Sequence, residues 1–148
     1  MKKFALIVVA TVVLATASIT LLGQSATTDK VASGTYIVYA RSPQAFRIVV
    51  DAKTMGNANL SGKFTTTAGT PMNLDVFVFS EPDYWKFRGE DEAAKASAKP
   101  LYSSLKKTEG DINVKLEPGI YYVIFSNLYQ YEGTKTINTD VKLTYDKK

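Results

Sequence analysis

The 148-residue chain contains no cysteine and no histidine, and these two absences narrow its chemistry. Without cysteine there is no disulfide, no thiol nucleophile, no cysteine-based metal site and no residue to carry a lipid anchor. Without histidine the usual Ser-His-Asp triad cannot be assembled. We therefore expect a non-catalytic domain that is stabilised by burial of apolar side chains alone.

Metal and cofactor signals are also missing, and neither kind of ligand is predicted. The acidic run Glu90, Asp91 and Glu92 lacks the alternate-position spacing of a calcium loop and is typical of a solvated helix turn. Asp75 stands near the start of an apolar run, where we expect a hydrogen bond at a strand end rather than a calcium site.

Positive charge is in small excess. The formal net charge of +4 falls by two, to +2, once Lys2 and Lys3 are assigned to an N-terminal signal. The remaining charges are spread along the chain. Nucleic-acid-binding proteins concentrate their basic residues in a patch or stripe, so no nucleic-acid partner is expected.

The longest stretch without charge is Phe4 to Leu22, directly after Lys2 and Lys3. This order is typical of an export signal, with small residues that permit cleavage near Ala17 or Ser25. An uncleaved run would be long enough to span a membrane. We predict that residues 1–25 are a signal peptide or membrane anchor, 26–34 a linker and 35–148 a β-sandwich domain. The protein is then secreted or extracytoplasmic, and touches a membrane only through an uncleaved segment.

The rest of the chain is rich in β-branched and aromatic residues, grouped in short runs between Gly, Pro, Asn and Ser. The last run alternates strictly, which is typical of a strand with one buried face. The pattern predicts an all-β, jelly-roll-like sandwich of two sheets and about eight strands. The predicted strands are 35–41, 45–52, 60–67, 74–79, 101–107, 111–116, 120–126 and 135–145.

One segment interrupts the strands. Ser80 is a candidate helix cap, acidic residues follow it, and 84–98 is rich in helix-forming residues until Pro100. Gly89 weakens the middle of this segment. We predict a short helical insertion, as one helix or two, that crosses an edge or end of the sandwich.

Five strand segments follow one another in a characteristic order: Leu60–Phe64, Leu74–Val78, Glu117–Asn127, 135–137 and 141–145. This order resembles the GOLD-like domains of emp24/p24-type proteins. The resemblance implies a β-sandwich that faces a lumen or the exterior and takes part in protein interaction rather than catalysis. The prepeptidase C-terminal domain is similar at the same places, through its Pro-Gly-x-Tyr strand, and implies an accessory role in secretion.

Two groups of residues are candidates for binding. Tyr129, Gln130 and Tyr131 follow a strand end, so we expect them in a loop at one end of the sandwich, where rigid aromatic side chains are common anchors. The alternative is that these tyrosines fold back over the core. Neither alternative is excluded by the sequence.

The second group is Tyr84, Trp85 and Arg88, which contains the only tryptophan. Its rings have faces suited to stacking on a sugar, and Arg88 is suited to an acidic group. The alternative is that Trp85, with Phe87 or Arg88, attaches the helix to the sheet. The predicted function is an exported module that binds a protein partner; a carbohydrate-binding module and a prepeptidase-like accessory domain are the alternatives.

Overall fold

The computed structural model describes residues 25–128 and 133–148 of the chain. Within these residues the chain forms eight strands and two short helices, the helices falling between the fourth and fifth strands. The elements are β1 (Ala26–Tyr39), β2 (Gln44–Val50), β3 (Met55–Ala68), β4 (Leu74–Ser80), α1 (Glu81–Arg88), α2 (Glu92–Ser97), β5 (Tyr102–Lys107), β6 (Glu109–Lys115), β7 (Gly119–Ser126) and β8 (Thr134–Lys147).

The strands form two antiparallel sheets of four. Sheet 1 has the order β1-β8-β3-β6, and sheet 2 has the order β2-β7-β4-β5. The pairs β1 with β8, β2 with β7, β3 with β6 and β4 with β5 are those of one long antiparallel ribbon that is rolled into two layers. This is the jelly-roll arrangement, so the predicted all-β sandwich of about eight strands is confirmed.

The core lies between the two sheets. At its centre the ring of Phe125 in sheet 2 contacts Phe46 and Phe64 edge-on, at centroid distances of 6.0 and 6.1 Å. Phe64 belongs to sheet 1, so this contact joins the layers. The predicted alternation of β8 is confirmed, since the side chains at alternate positions are buried: Ile137, Thr139, Val141, Leu143 and Tyr145.

A glycine lets two strands of sheet 1 approach closely. A Cβ atom on Gly62 of β3 would lie 2.6 Å from the Cα atom of Val141 in β8 and would also meet the carbonyl of Asp140. Both obstacles are backbone atoms, which cannot rotate away. The sequence predicts a bend or close approach at Gly62, and the structure shows the close approach.

The predicted linker is wrong. β1 begins at Ala26, so all of 26–34 lies in a strand that pairs with β8. The outer face of this strand is polar, and Ser33 donates a hydrogen bond to Asp140 across it (3.0 Å). The register also shifts between Lys30 and Ala32, which breaks the two-residue alternation by which a strand is recognised.

The insertion consists of two helices, α1 and α2, which settles the choice left open by the sequence. Ser80 occupies the cap position of α1, but its hydroxyl donates to Asp83 Oδ2 (3.1 Å) and makes no hydrogen bond to the helix backbone. In the acidic run, Asp91 caps α2 by accepting from the amides of Ala93 and Ala94 (2.9 and 3.3 Å). The run therefore contributes a helix cap.

Residues 1–24 of the predicted signal or anchor lie outside the described residues. Across 25–128 and 133–148, neither helix has the length and apolar character needed to cross a membrane.

Candidate functional site

The predicted loop residues Tyr129, Gln130 and Tyr131 lie outside the described residues. They belong to the connection between β7 and β8. The described residues on either side are Leu128 and Gly133, and Gly133 accepts a hydrogen bond from the amide of Ala40 (3.1 Å). The role of the three residues remains a prediction.

Two aromatic side chains attach α1 to the outer face of sheet 2. The ring of Tyr84 stacks on Tyr122 of β7, with centroids 3.9 Å apart and planes 10° apart. Phe87, one turn further along, packs against Phe77 and Phe79 of β4 at 5.3 and 5.1 Å. The alternative in which Trp85, with Phe87 or Arg88, attaches the helix is therefore correct for Phe87 and wrong for Trp85, because the second attachment is made by Tyr84.

Trp85 points the other way. Its side chain is 59% exposed, although it lies between the two attached residues in sequence. Its ring meets the rings of Tyr84 and Tyr122 edge-on, at 4.9 and 6.3 Å. Trp85 is thus an exposed ring on a packed aromatic base.

Tyr84 does not belong to an exposed contact surface, because only 8% of it is accessible. Its ring plane is also inclined by 61° to that of Trp85, so these two residues do not form a flat platform for a sugar. Arg88, at the end of α1, is exposed as expected. Of the three residues predicted on this segment, Trp85 and Arg88 reach solvent.

The exposed surface continues from Trp85 across sheet 2. In the register of β2 and β7, Arg47 lies opposite Tyr122, and Val49 lies opposite Ile120. Arg47 is exposed, and Val49 is an exposed large apolar residue. Trp85, Tyr122, Arg47 and Val49 together form what we call the aromatic strip. Sequence patterns did not single out Arg47 or Val49, because their adjacency to Trp85 depends on the order of strands in sheet 2.

The aromatic strip ends at β2, the edge strand of sheet 2, which has few features that would prevent it from pairing with a strand of another chain. β2 pairs with β7 over seven consecutive residues without a bulge, and Arg47 is its only charged residue. Edge strands are usually protected by bulges, prolines or several charges. The edge strand β1 has a bulge, and the edge strand β6 carries Glu109, Asp111 and Lys115.

A second candidate site is a polar pocket at the end of the sandwich where β7 leads into β8. Its volume is about 210 Å³. The strand register brings its walls together, because Asp75 at the start of β4 lies opposite Ser126 at the end of β7. The pocket is lined by Pro71, Asn73, Leu74, Asp75, Lys106, Ser126, Asn127 and Lys135.

Lys135 occupies one wall of the polar pocket and is almost fully buried. Its ammonium donates to the backbone carbonyl oxygens of Pro71 (2.7 Å) and Asn73 and to Asn73 Oδ1 (3.2 Å). Burial lowers the pKa of Lys135 below its usual value, and the negative charge of Asp75 partly opposes that effect. All three N–H donors are used, so Lys135 holds the loop between β3 and β4.

Two other buried side chains of the polar pocket are only partly satisfied. Asp75 is 1% exposed; its Oδ1 accepts a hydrogen bond from the amide of Lys106 (2.7 Å), whereas its Oδ2 has no partner. Asn127 is 3% exposed, and its Nδ2 has no partner. The strand-end hydrogen bond expected for Asp75 is confirmed.

This pocket was not predicted from the sequence, although the position of Lys135 in β8 indicates it. Lys135 has the same parity as Ile137 and Val141 in β8, so strict alternation places a lysine at an inward-facing position. A buried lysine requires acceptors or a cavity close by. Nothing in the sequence indicates that those acceptors come from Pro71 and Asn73.

Three or more acidic side chains do not come together as a potential metal site anywhere in residues 25–128 and 133–148.

No protein-family model and no curated protein sequence matches the chain. Among solved structures, a periplasmic inhibitor of g-type lysozyme, PliG from Aeromonas hydrophila, is 11% identical with a TM-score of 0.38, over 85% of this chain and 89% of that one. A Triatoma virus empty capsid is 8% identical with a TM-score of 0.46, over 81% and 87%.

An isomalto-dextranase from Arthrobacter globiformis T6, complexed with panose, is 12% identical with a TM-score of 0.37, over 80% of this chain and 23% of that one. All three TM-scores are below 0.5, so none of these likenesses carries an argument about function.

Proposed function

We propose that this protein is an exported, non-catalytic interaction module that binds a protein partner through the aromatic strip. The observation that carries the proposal is the exposure of Trp85, 59% of which is accessible although both neighbouring aromatic residues of α1 are packed against sheet 2. Tryptophan is one of the residues enriched among those that contribute most to binding at protein interfaces. The Trp85 ring already contacts Tyr84 and Tyr122, so less side-chain conformational entropy would be lost when a partner binds.

The edge of β2 supports a protein rather than a small molecule as the partner. A strand with free backbone groups and no bulge can pair with an extended segment of another chain. Arg47 and Val49 would then contact the side chains of that segment, beside Trp85. Two copies paired antiparallel over the whole of β2 would place Arg47 opposite Arg47, which is unfavourable. A different chain with an acidic residue at that position is the better fit.

Export and the GOLD-like character belong to the same proposal. The charge-free run after Lys2 and Lys3 supports export. The GOLD-like resemblance of the strand sequences implies a role in protein interaction.

The test is capture of a partner by chemical cross-linking from an envelope extract, with the parent protein and with Trp85→Ala and Arg47→Glu. We expect one specific protein to be recovered by the parent, and to be reduced about tenfold or more by Trp85→Ala, because removal of an interface anchor costs about 2 kcal/mol. Arg47→Glu should reduce recovery less.

The matched control is Tyr39→Ala. Tyr39 is 57% exposed, close to the value for Trp85, but lies in sheet 1. Equal loss with Tyr39→Ala and Trp85→Ala would contradict the assignment of the strip, and no recovered protein would contradict the proposed function. A Tyr129→Ala/Tyr131→Ala double variant, measured beside them, reports whether the β7–β8 loop contributes.

A further inference from the structure

The polar pocket contains a donor and an acceptor that the chain itself does not satisfy. Asn127 Nδ2 and Asp75 Oδ2 are both buried, and neither has a partner. Folded proteins rarely leave such groups unpaired, because a buried polar atom that loses its water without a new hydrogen bond is unfavourable. These two atoms therefore indicate a partner that is not part of the chain.

The two side chains line the same pocket. Asp75 of β4 lies opposite Ser126 of β7, and Asn127 is the next residue. The missing partner must accept a hydrogen bond from Asn127 and donate one to Asp75. A hydroxyl group of a ligand does both through a single oxygen atom, and so does a water molecule, which is the outcome shown by the absence of any shift with sugars.

The charges in the polar pocket argue against an ionic ligand. A cation would meet the ammonium of Lys135, and Lys106 also lines the pocket. An anion would meet the carboxylate of Asp75, which needs a donor, and the three N–H groups of Lys135 are already bound to Pro71 and Asn73. A neutral ligand avoids both conflicts.

The volume of the polar pocket limits the size of a ligand that it could enclose. About 210 Å³ is many times the roughly 10–15 Å³ that a cavity needs, on the same measure, to hold one water molecule. It is below the roughly 300 Å³ at which drug-sized pockets begin. One sugar unit falls between these limits.

We propose that the polar pocket binds a single neutral sugar unit, through a hydroxyl that accepts from Asn127 Nδ2 and donates to Asp75 Oδ2. This site is separate from the aromatic strip and uses no ring stacking within the described residues. Sugar binding here does not depend on the proposed protein partner, so either proposal can fail alone.

The test is an NMR titration of the ¹⁵N-labelled full chain with glucose, galactose, mannose and N-acetylglucosamine, each as the free sugar. The side-chain amide signal of Asn127 reports directly on the proposed hydrogen bond. We expect it to shift saturably with at least one of the four sugars. Acetamide and acetate, added separately, represent the amide and anion alternatives.

Two isosteric variants test the two hydrogen bonds. Asn127→Asp replaces the donor by an acceptor, and Asp75→Asn replaces the orphan acceptor by a donor while the Oδ1 bond to the amide of Lys106 is retained. Each should weaken sugar binding tenfold or more, monitored through backbone amides of Ser126 and Lys106. Thr66→Val is the matched control, because Thr66 Oγ1 is also buried without a partner but Thr66 does not line the pocket.

Three results would overturn the proposal: no shift with any of the four sugars, unchanged sugar affinity in both isosteric variants, or a saturable shift with acetamide or acetate but with none of the sugars. If one isosteric variant fails to fold, the other still decides the matter.

Discussion

The outer faces of the two sheets differ in how they meet the solvent. Sheet 1 presents hydroxyl, amide and charged side chains that pair across strands, such as Thr35 with Asn138 (2.7 Å) and Asn59 with Asn113 (3.1 Å). Sheet 2 presents the rings of Phe77, Phe79 and Tyr122, and the helical insertion covers them. A polar face can remain open to water, whereas an apolar face needs a cover.

The cover on sheet 2 is incomplete. α1 packs over β4 and β7, and Arg47 and Val49 of β2 remain exposed. Trp85 is linked to them through Tyr122, which it meets edge-on and which lies opposite Arg47.

Sheet 1 also exposes two apolar side chains, because Ile37 and Tyr39 of β1 are 49% and 57% exposed, but the rest of its described outer face is largely polar. Sheet 2 differs in that its exposed residues border a packed aromatic cluster, and the proposed recognition surface lies there.

The largest effect is expected in sheet 1, from its backbone rather than its outer side chains. Gly62→Ala should lower the free energy of unfolding by about 3 kcal/mol, because a Cβ atom there would collide with the backbone of β8 and force the strands apart. Urea unfolding followed by circular dichroism measures this. Gly56→Ala in the same strand is the control, since its Cβ atom would meet the flexible side chain of Lys148 at 3.4 Å. Equal losses would mean that the approach at Gly62 is not the constraint.

On sheet 2, the packing of α1 against the sheet can be weakened by a single substitution. Phe87→Ala removes a half-buried ring from Phe77 and Phe79 and should cost about 2 kcal/mol. Trp85→Ala, two residues earlier, should cost less than about 0.5 kcal/mol, because most of that side chain is in water. The same unfolding measurement compares them. A larger loss for Trp85→Ala than for Phe87→Ala would show that Trp85 serves the fold rather than recognition.

Most strands could be predicted from the sequence, because a strand is indicated by the local order of apolar and polar residues. The alternation of Ile137, Val141 and Leu143 and the apolar run of β4 each identify a strand without knowledge of its partners. The first half of β1 was not recognised, because its polar outer face and its bulge remove the local pattern. Its place is set by the ladder with β8, more than a hundred residues away in sequence.

The candidate sites were predictable only in part, for a similar reason. Trp85 is marked by its residue type, but its exposure depends on which neighbours pack against sheet 2. The polar pocket joins Asp75 of β4, Lys135 of β8 and Asn127, which directly follows β7, and only the folded register places them together. Of these three residues, only Lys135 could have been recognised in the sequence, because the alternation of β8 places this cation on the inward face.

A smaller effect is expected from the polar pairs on sheet 1. Thr35→Ala removes the hydrogen bond to Asn138 and should lower the free energy of unfolding by about 0.5 kcal/mol, the usual value for an exposed cross-strand pair. The double cycle with Asn138→Ala isolates the pair itself. A coupling above about 1.5 kcal/mol would contradict the view that this face contributes little to stability.

The smallest expected effect is a change of stability with pH. One carboxylate on α1, which covers sheet 2, and one on sheet 1 allow it to be measured. The hydrogen bond from Lys86 holds the pKa of Asp83 on α1 below its ordinary value of 3.8, and the hydrogen bond from Lys142 does the same for Asp140 on sheet 1. A carboxyl group with a lowered pKa in the folded state stabilises the fold above its unfolded pKa, and this contribution disappears as the pH falls through the folded pKa.

For Asp83 the contribution is well under 1 kcal/mol, because its ion pair with Lys86 (2.8 Å) is close to solvent. We expect the difference in free energy of unfolding between the parent and Asp83→Asn to shrink from pH 7 to pH 2, and likewise for Asp140→Asn. Urea unfolding at a series of pH values in constant salt follows both differences. Either difference growing as the pH falls would mean that the carboxylate is less favourable in the folded protein than in the unfolded chain, which its hydrogen bonds to lysine argue against.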